Sequence, residues 1–296
     1  MNARAWLVFA ALGILWGLPY LFIKLAVREL SAFDVAWGRI TLAALVLVPV
    51  AWQRRALRPL KTHRGAVCAF GLIEFAIPYS LLAMSERWIP SSVAGILVSA
   101  VPLTIVLLSR RFGVHERLGA RRWIGLVLGV IGVAALVGFG TVSGARGWSG
   151  AGLMLIVTVC YAIGPLIVQR HLHEVDSVGS VTGSLGVASA ALLIPAMLTL
   201  PERVPSALAL ESIVVLGILC TGLPMLGMFY LIKRAGAART SVVTYINPAV
   251  AALLGVSVLH ERLGVSGFLG LALILASSWL ATHGAPARGS SAIEAA

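Results

Sequence analysis

The sequence predicts an all-α integral membrane protein whose ten transmembrane helices form two inverted five-helix repeats. Three observations favour this fold. Of the 296 residues, 59% are hydrophobic and 11% are charged, whereas about a quarter of the residues in a soluble domain are charged. The apolar residues fall into runs of about 20, which is the length needed to cross a bilayer. The pentapeptide HERLG begins at His115 and again at His260, so it recurs after about half the chain.

The apolar runs, taken in order, predict ten spans joined by short connections. They cover roughly 5–27, 33–53, 65–85, 91–112, 120–140, 150–170, 178–200, 211–233, 239–258 and 264–283. The first run starts within a few residues of Met1 and has no cleavage site after it, so we expect no separate signal peptide. Residues 284–296 are small and polar, and they are expected to form a disordered cytoplasmic tail.

Lys and Arg residues are divided unequally between alternate connections. Of the 23, sixteen would lie at one end of the spans and five at the other, while Lys24 and Arg39 fall inside spans. The positive-inside rule places the richer end in the cytoplasm. We therefore expect a multi-pass protein of the cell inner membrane with both termini cytoplasmic.

The two halves resemble each other beyond HERLG. The segment ILWGLPYLFIK at 14–24 aligns with VCYAIGPLIVQ at 159–169, and Pro78 and Pro102 align with prolines 146 positions later. Five spans are an odd number, so the second copy would enter the membrane upside down. This predicts one repeat at 1–140 and another at 150–283. Inverted repeats are typical of secondary transporters, whose substrate binds near the midplane between the halves.

The glutamates of the two HERLG copies, Glu116 and Glu261, each precede a predicted helix. A carboxylate there favours the positive end of the helix dipole. We expect both glutamates to be structural and to stabilise the helix that follows each of them.

Several motifs resemble the EamA family of the drug/metabolite transporter superfamily. They are WGLPYLFIKLAV at 16–27, DVAWGRITLAALVL at 34–47, and the stretch from SSVAGILVSAVP at 91–102 through HERLG to GLVLGVIGV at 125–133. The resemblance covers nearly the whole chain and implies a ten-helix fold with a central cavity that exports amino acids or related metabolites. Other members move purines, drugs or nucleotide sugars, and the branch that exports aromatic amino acids is similar in length and layout. The second copy departs from the pattern, because Tyr161-Ala162 stands where the first copy has Trp16-Gly17, and no charge matches Glu74.

Three ionisable side chains lie inside predicted spans, where a charge is costly. Glu74 is near the middle of its span, so it either binds a substrate ammonium or a coupled proton, or it is a structural carboxyl that is protonated or paired with Arg39. Arg39 would anchor helices, contact the substrate carboxylate or hold Glu74. Lys24 lies within a turn of the end of its helix and is expected to extend to the lipid headgroups.

Mid-span aromatic residues predict a cavity wall that would hold a flat or apolar side chain. Trp16 and Tyr20 share one helix face, Tyr161 is the repeat partner of Trp16, and Tyr245 lies in the ninth span, while Tyr79 and Ser99 are weaker candidates. Helix packing and interfacial belts are the alternative roles. Four mirrored prolines are predicted to act in gating, although proline is also simply tolerated in membrane helices; they are Pro78, Pro102, Pro224 and Pro248.

Other classes of function have weaker sequence support. An intramembrane serine protease would need Ser266 of GVSG beside a histidine, but His283 lies at the opposite end of the same helix. The segment HLHEVD at 171–176 lacks the spacing of a zinc protease, and the three cysteines suggest no metal site or disulfide. We expect a transporter that is not an enzyme, without cofactor or metal, monomeric, and with no nucleic-acid partner. Protons are the candidate coupling ion, and efflux of drugs or nucleobases is the alternative to amino-acid export.

Overall fold

The computed structural model describes residues 3–109, 124–125, 127–129, 131–132, 142–262 and 264–282. These residues contain helices and no strand. In chain order the helices are α1 (Ala3–Ala26, interrupted at Leu18), α2 (Ala32–Gln53), α3 (Arg64–Ser85), α4 (Ser91–Val98 and Val101–Ser109), α5 (Gly144–Leu172), α6 (Ser177–Met197), α7 (Ala207–Ala235), α8 (Ile246–Ser257) and α9 (Val265–Thr282). Short helical turns cover Arg58–Lys61, Ala237–Thr240 and Ser241–Tyr245.

Six of these helices are long and apolar enough to cross a membrane: α1, α2, α3, α5, α6 and α7. The helices α4, α8 and α9 contain shorter apolar segments. Their positions match nine of the ten predicted spans. Two thirds of the remaining span, 120–140, lie outside the described residues, and so do the first HERLG copy and the tail 284–296.

Polar side chains begin three of the helices. The Ser31 hydroxyl accepts a hydrogen bond from the Asp34 amide, and the Asp34 carboxylate accepts one from the Ser31 amide, which is a capping box at the start of α2. The Asp176 carboxylate and the Ser206 hydroxyl accept hydrogen bonds in the same way at the starts of α6 and α7. These caps satisfy amides that have no partner within the helix.

Helices α3 and α7 each change to π-helix at corresponding places. The π segments are Gly71–Ala76 and Ile218–Gly222, and Pro78 and Pro224 follow them closely. Proline has no N–H to donate to the carbonyl four residues earlier, and its ring crowds that carbonyl. The Ile77 and Leu223 amides instead bond five residues back, to the Leu72 and Ile218 carbonyls. The two π segments therefore coincide with the mirrored prolines Pro78 and Pro224.

Contacts between the connections define one end of the helix bundle, which we call the Glu86 end. The Arg87 guanidinium donates to the Leu30 carbonyl at 2.7 Å, and the Ser31 and Thr199 hydroxyls are 2.6 Å apart. Connections 27–31, 86–90, 198–206 and 258–262 meet here.

The opposite end, which we call the Arg55 end, contains the connections 54–63 and 173–176 and the single residue Gly236 that follows α7. Lys233 Nζ donates to the Val175 carbonyl at 2.9 Å, and a Cβ atom on Gly179 would lie 2.1 Å from the Ala56 carbonyl oxygen. The predicted alternation of connections between two ends therefore agrees with the contacts in the structure.

Corresponding helices of the two halves pack against each other. Helix α2 packs along α6, and the first part of α4 packs along α8. Helices α3 and α5 also pack together, as do α1 and α7. The space enclosed by these pairs contains the candidate site.

Candidate substrate cavity

A cavity lies between the two halves, and the empty space within it, including the part that is open to solvent, is about 680 Å³. Its lining comes from both halves: Trp16, Pro19, Tyr20, Arg39, Glu74, Tyr79, Leu82, Val98, Val101, Tyr161, Pro165, Cys220, Met225, Met228, Thr240, Ser241, Thr244 and Asn247. Six of the eight predicted binding residues are among them. The lining reaches Thr240 and Ser241 near the Arg55 end and includes no residue from the connections of the Glu86 end.

Glu74 enters the cavity from the π segment of α3. Its side chain is 4% exposed, and its Oε2 atom has no hydrogen-bond partner among the described residues. Helix α5 approaches this carboxyl so closely that a Cβ atom on Gly164 would lie 1.8 Å from Oε2. Only glycine at position 164 leaves the carboxyl in this place, so Gly164 positions Glu74. An unpartnered buried carboxyl can accept hydrogen bonds from a ligand or hold a proton.

Arg39 is fixed by two groups on different helices. Its Nε and Nη2 atoms donate to the Thr221 hydroxyl at 3.1 and 2.9 Å, and the guanidinium carbon lies 3.9 Å from the centre of the Tyr79 ring. The Thr221 hydroxyl in turn donates to the Leu216 carbonyl at 2.8 Å, across the π segment of α7. A guanidinium has five N–H donors, so this arrangement leaves donors available to a ligand.

Arg39 and Glu74 form no ion pair with each other. Within the described part of the chain the one ion pair is His173–Glu174, at 3.5 Å. The alternative in which Arg39 neutralises Glu74 is therefore wrong for this structure, because Thr221 and Tyr79 hold the guanidinium instead. The cavity contains a cation and a carboxyl that do not neutralise each other.

The wall of the cavity is aromatic and apolar. The Tyr79 and Tyr161 rings meet edge to face, with centroids 6.5 Å apart, and Trp16 and Tyr20 line the cavity from α1. Met225 and Met228 complete this wall. These two residues were not predicted, because methionine in an apolar helix carries no distinctive signal. Methionine is flexible and makes favourable contacts with aromatic rings.

Polar groups line the cavity toward the Arg55 end. Thr240, Ser241 and Thr244 contribute hydroxyls, and Asn247 is 3% exposed with an Oδ1 atom that has no hydrogen-bond partner among the described residues. Asn247 was not among the predicted residues, although an asparagine within an apolar run is a recognisable sequence signal. The side chain of Tyr245, which was predicted to line the cavity, lies outside the described residues.

The remaining predicted residues do not reach the cavity. The Ser99 hydroxyl donates to the Ile96 carbonyl at 2.5 Å, between the two parts of α4. Pro78 and Pro224 follow the π segments, Pro102 begins the second part of α4, and Pro248 lies in α8. Gating by these prolines stays a prediction.

Two expected roles at the Glu86 end were wrong. Lys24 does not extend to the headgroups, because its ammonium donates to the carbonyls of Glu86 and Ile89 at 2.5 and 2.8 Å. Glu261 does not stabilise the helix that follows it. Its carboxylate accepts hydrogen bonds from the amides of Ser91 and Ser92, at 2.8 and 3.0 Å, and so caps α4 in the other half.

The alternative sites have little support in the described part of the chain. No group of three metal-binding side chains occurs among the described residues, and the His173–Glu174 pair of HLHEVD is exposed. The side chains of Ser266 and His283, on which a protease would depend, lie outside the described residues.

Comparison with known proteins identifies the family and supports the fold. The model of the EamA-like transporter family matches this chain twice, at residues 4–138 and 148–282. A solved crystal structure superposes with a TM-score of 0.70 over 95% of this chain and 97% of that chain, at 21% sequence identity. That likeness shows the fold.

Related proteins are named as transporters. The uncharacterized inner membrane transporter YedA of Escherichia coli (strain K12) is 29% identical over 280 residues, which are 93% of this chain and 89% of the relative. An uncharacterized transporter of Archaeoglobus fulgidus is 26% identical over 92% of this chain and 96% of the relative. The uncharacterized transporter YdfC of Bacillus subtilis (strain 168) is 25% identical over 81% of this chain and 78% of the relative.

Proposed function

We propose that this chain, which belongs to the EamA-like transporter family, exports amino acids across the cell inner membrane through the cavity between its halves. The observation that carries the proposal is the cation and the carboxyl that share this cavity without pairing. Arg39 would bind the substrate carboxylate, because a guanidinium matches a carboxylate with parallel hydrogen bonds. Glu74 would accept hydrogen bonds from the substrate ammonium, and Asn247 Oδ1 offers a second acceptor.

The aromatic wall supports a preference for amino acids with aromatic or large apolar side chains. Trp16, Tyr20, Tyr79 and Tyr161 present ring surfaces, and Met225 and Met228 adapt to different shapes. A small polar side chain would leave this wall unfilled. Phenylalanine and methionine should therefore bind more tightly than threonine.

The transport mechanism we propose is alternating access between two inverted five-helix repeats, 1–140 and 150–283. Several observations support this arrangement. The family model matches each half, the corresponding helices α2 and α6 pack together, and the two π segments occupy corresponding places. The bends at Pro78 and Pro224 would let matching helices move in turn around the site.

The cavity would open toward the cytoplasm in this conformation. Its lining reaches the Arg55 end, and the connections of that end are rich in Lys and Arg, as expected of a cytoplasmic face. At the Glu86 end, hydrogen bonds such as Ser31–Thr199 and Glu261–Ser91 join the two halves. An exporter would load its substrate in this state.

Efflux of drugs or nucleobases is the second candidate, and the aromatic and methionine wall favours it. A planar ligand could stack on Tyr79 and Tyr161 without contacting both charged groups. The candidates differ in their dependence on charge. An amino acid needs Arg39 and Glu74 together, whereas a neutral planar ligand needs neither.

The test is uptake of labelled phenylalanine, methionine and threonine into proteoliposomes, with and without an imposed pH gradient. Saturable uptake of phenylalanine and methionine that is lost in Glu74→Gln and in Arg39→Gln is expected. Uptake that follows the pH gradient would make Glu74 the proton carrier, and uptake that ignores it would make Glu74 a substrate ligand alone. Failure of all three amino acids in folded protein would contradict amino-acid export, and uptake of adenine would then establish the second candidate.

A further inference from the structure

Glu86 is a second buried carboxyl, separate from the substrate cavity. It follows α3 directly, its side chain is 0% exposed, and neither Oε1 nor Oε2 has a hydrogen-bond partner among the described residues. Burying an ionised carboxylate without partners is unfavourable, so such a group either carries a proton or changes its surroundings when it ionises. Nothing in the proposed substrate site uses it.

The Lys24 ammonium is bonded to backbone and not to this carboxyl. Lys24 Nζ donates to the main-chain oxygens of Glu86 and Ile89, at 2.5 and 2.8 Å, and thereby ties α1 to the 86–90 connection. No ion pair within 4 Å joins Lys24 to the Glu86 carboxyl, although both residues are described. A half-buried ammonium that bonds to backbone carbonyls and not to the carboxyl of Glu86 is consistent with a neutral carboxyl.

Charged and titratable groups face Glu86 from three directions. Lys24 and Tyr20 belong to α1, Arg39 to α2, and Glu261 to the connection before α9. Glu261 is the group that joins the halves here: its Oε1 accepts hydrogen bonds from the amide and hydroxyl of Ser91, at 2.8 and 2.9 Å. An ionised Glu86 would repel this cap and attract Lys24 away from the two carbonyls.

We propose that Glu86 is a proton-binding site whose charge controls whether the two halves separate at the Glu86 end. With Glu86 neutral, Lys24 holds the carbonyls, Glu261 caps α4, and this end is closed. With Glu86 ionised, Lys24 turns to the carboxylate, the Glu261 cap is repelled, and water enters between the halves. The inference rests on the proposed alternating access, and it adds a proton site that is distinct from Glu74.

The direction of the pH effect follows from burial. Burial raises the pKa of Glu86 well above its usual range. The positive charges of Lys24 and Arg39 oppose this rise, and the negative charge of Glu261 reinforces it. An open end would hydrate the carboxyl and return its pKa toward about 4.3. Protonation of Glu86 therefore stabilises the closed conformation of this end. The stabilisation is complete below the pKa that Glu86 has in the open conformation, and it is lost as the pH rises through the higher pKa that Glu86 has in the closed conformation. Between the two values the open-to-closed ratio should rise about tenfold per pH unit.

The test is a distance measurement across the Glu86 end that requires no substrate. Spin labels would be placed on Arg28→Cys and Arg262→Cys, both exposed and in different halves, in protein without its native cysteines. In lipid nanodiscs, electron–electron distances should lengthen as the pH rises from about 5 to about 9. Glu86→Gln should keep the short distance at every pH. Glu202→Gln, which removes an exposed carboxyl at the same end, should retain the wild-type response.

A pH response that is unchanged in Glu86→Gln, or absent in the wild type, would overturn the proposal. If Glu86→Gln does not fold, infrared difference spectra of the Glu74→Gln variant decide the question: one buried protonated carboxyl should remain, and its absence would also overturn the proposal. These readouts are independent of amino-acid uptake. A pH-dependent distance without amino-acid uptake would therefore support the Glu86 site and contradict the proposed substrate. Amino-acid uptake without a pH-dependent distance would support the substrate and contradict the Glu86 site.

Discussion

Replacing Gly164 by alanine should displace Glu74 and impair transport. The added Cβ would lie 1.8 Å from Glu74 Oε2 and 2.8 Å from its Cδ atom. Ordinary contact between a carbon and an oxygen needs well over 3 Å, so the carboxyl must move by about 1.5 Å. Misplacement of a functional group by about 1 Å can reduce activity about 100-fold. We therefore expect kcat/KM for phenylalanine uptake to fall by roughly 10- to 100-fold.

Gly164→Ala should impair transport while lowering the free energy of unfolding only moderately. The atom that clashes is the far end of a side chain beside a cavity, which can rotate, so we expect at most about 1–3 kcal/mol from overpacking. Gly152→Ala is the matched control, because it lies in the same helix and its added Cβ meets nothing within 4 Å. That control should transport normally.

A second substitution separates displacement of the carboxyl from general damage to α5. Glu74→Asp shortens the side chain by one methylene and makes room beside an alanine at position 164. The Gly164→Ala, Glu74→Asp double variant should transport better than Gly164→Ala alone, as measured by initial rates in proteoliposomes. Wild-type kinetics in Gly164→Ala would refute the assignment of Glu74 to the substrate site.

Three further substitutions test the other contacts. Thr221→Val should leave two buried guanidinium N–H groups of Arg39 without their acceptor and raise KM about tenfold, whereas Thr221→Ser should restore it; equal KM values for both variants would contradict this role. Glu261→Gln should lower the free energy of unfolding by about 1 kcal/mol through its weaker cap on α4, measured by thermal unfolding in nanodiscs, and no change would contradict the cap. Hydrogen bonds from the Ser206 hydroxyl and amide lower the pKa of Glu29, so its contribution to stability is present above about pH 4.3 and is lost as the pH falls through the lower folded-state pKa. The unfolding temperatures of Glu29→Gln and the wild type should therefore converge in acid, and a difference independent of pH would count against this account.

Features that depend on local sequence could be predicted. Length and hydropathy place the helices, because a run of about 20 apolar residues has few other stable environments. The cost of an ionisable group in a span identified Arg39 and Glu74, and the repeat identified Tyr161 as a partner of Trp16. All four line the cavity.

Features that depend on contacts between the halves could not be predicted from local patterns. Glu261 precedes one helix in sequence but caps another, which only the packing of α4 along α8 determines. Lys24 is near a helix end, yet its ammonium donates to the carbonyls of Glu86 and Ile89, which are more than 60 residues away in the sequence. Glu86 falls in a predicted connection, and its burial arises from elements that are distant in the sequence.

The most direct test of amino-acid binding between Arg39 and Glu74 compares three ligands that each carry the same phenyl ring. L-Phenylalanine, 2-phenylethylamine and N-acetyl-L-phenylalanine would be titrated into purified protein in nanodiscs by calorimetry. The second ligand leaves Arg39 without a carboxylate, and the third leaves Glu74 without an ammonium. Because an unpaired buried charge costs about 1–3 kcal/mol or more, both analogues should bind at least roughly tenfold more weakly than phenylalanine. Equal affinity for all three would show that the ring alone is recognised and would contradict amino-acid binding between Arg39 and Glu74.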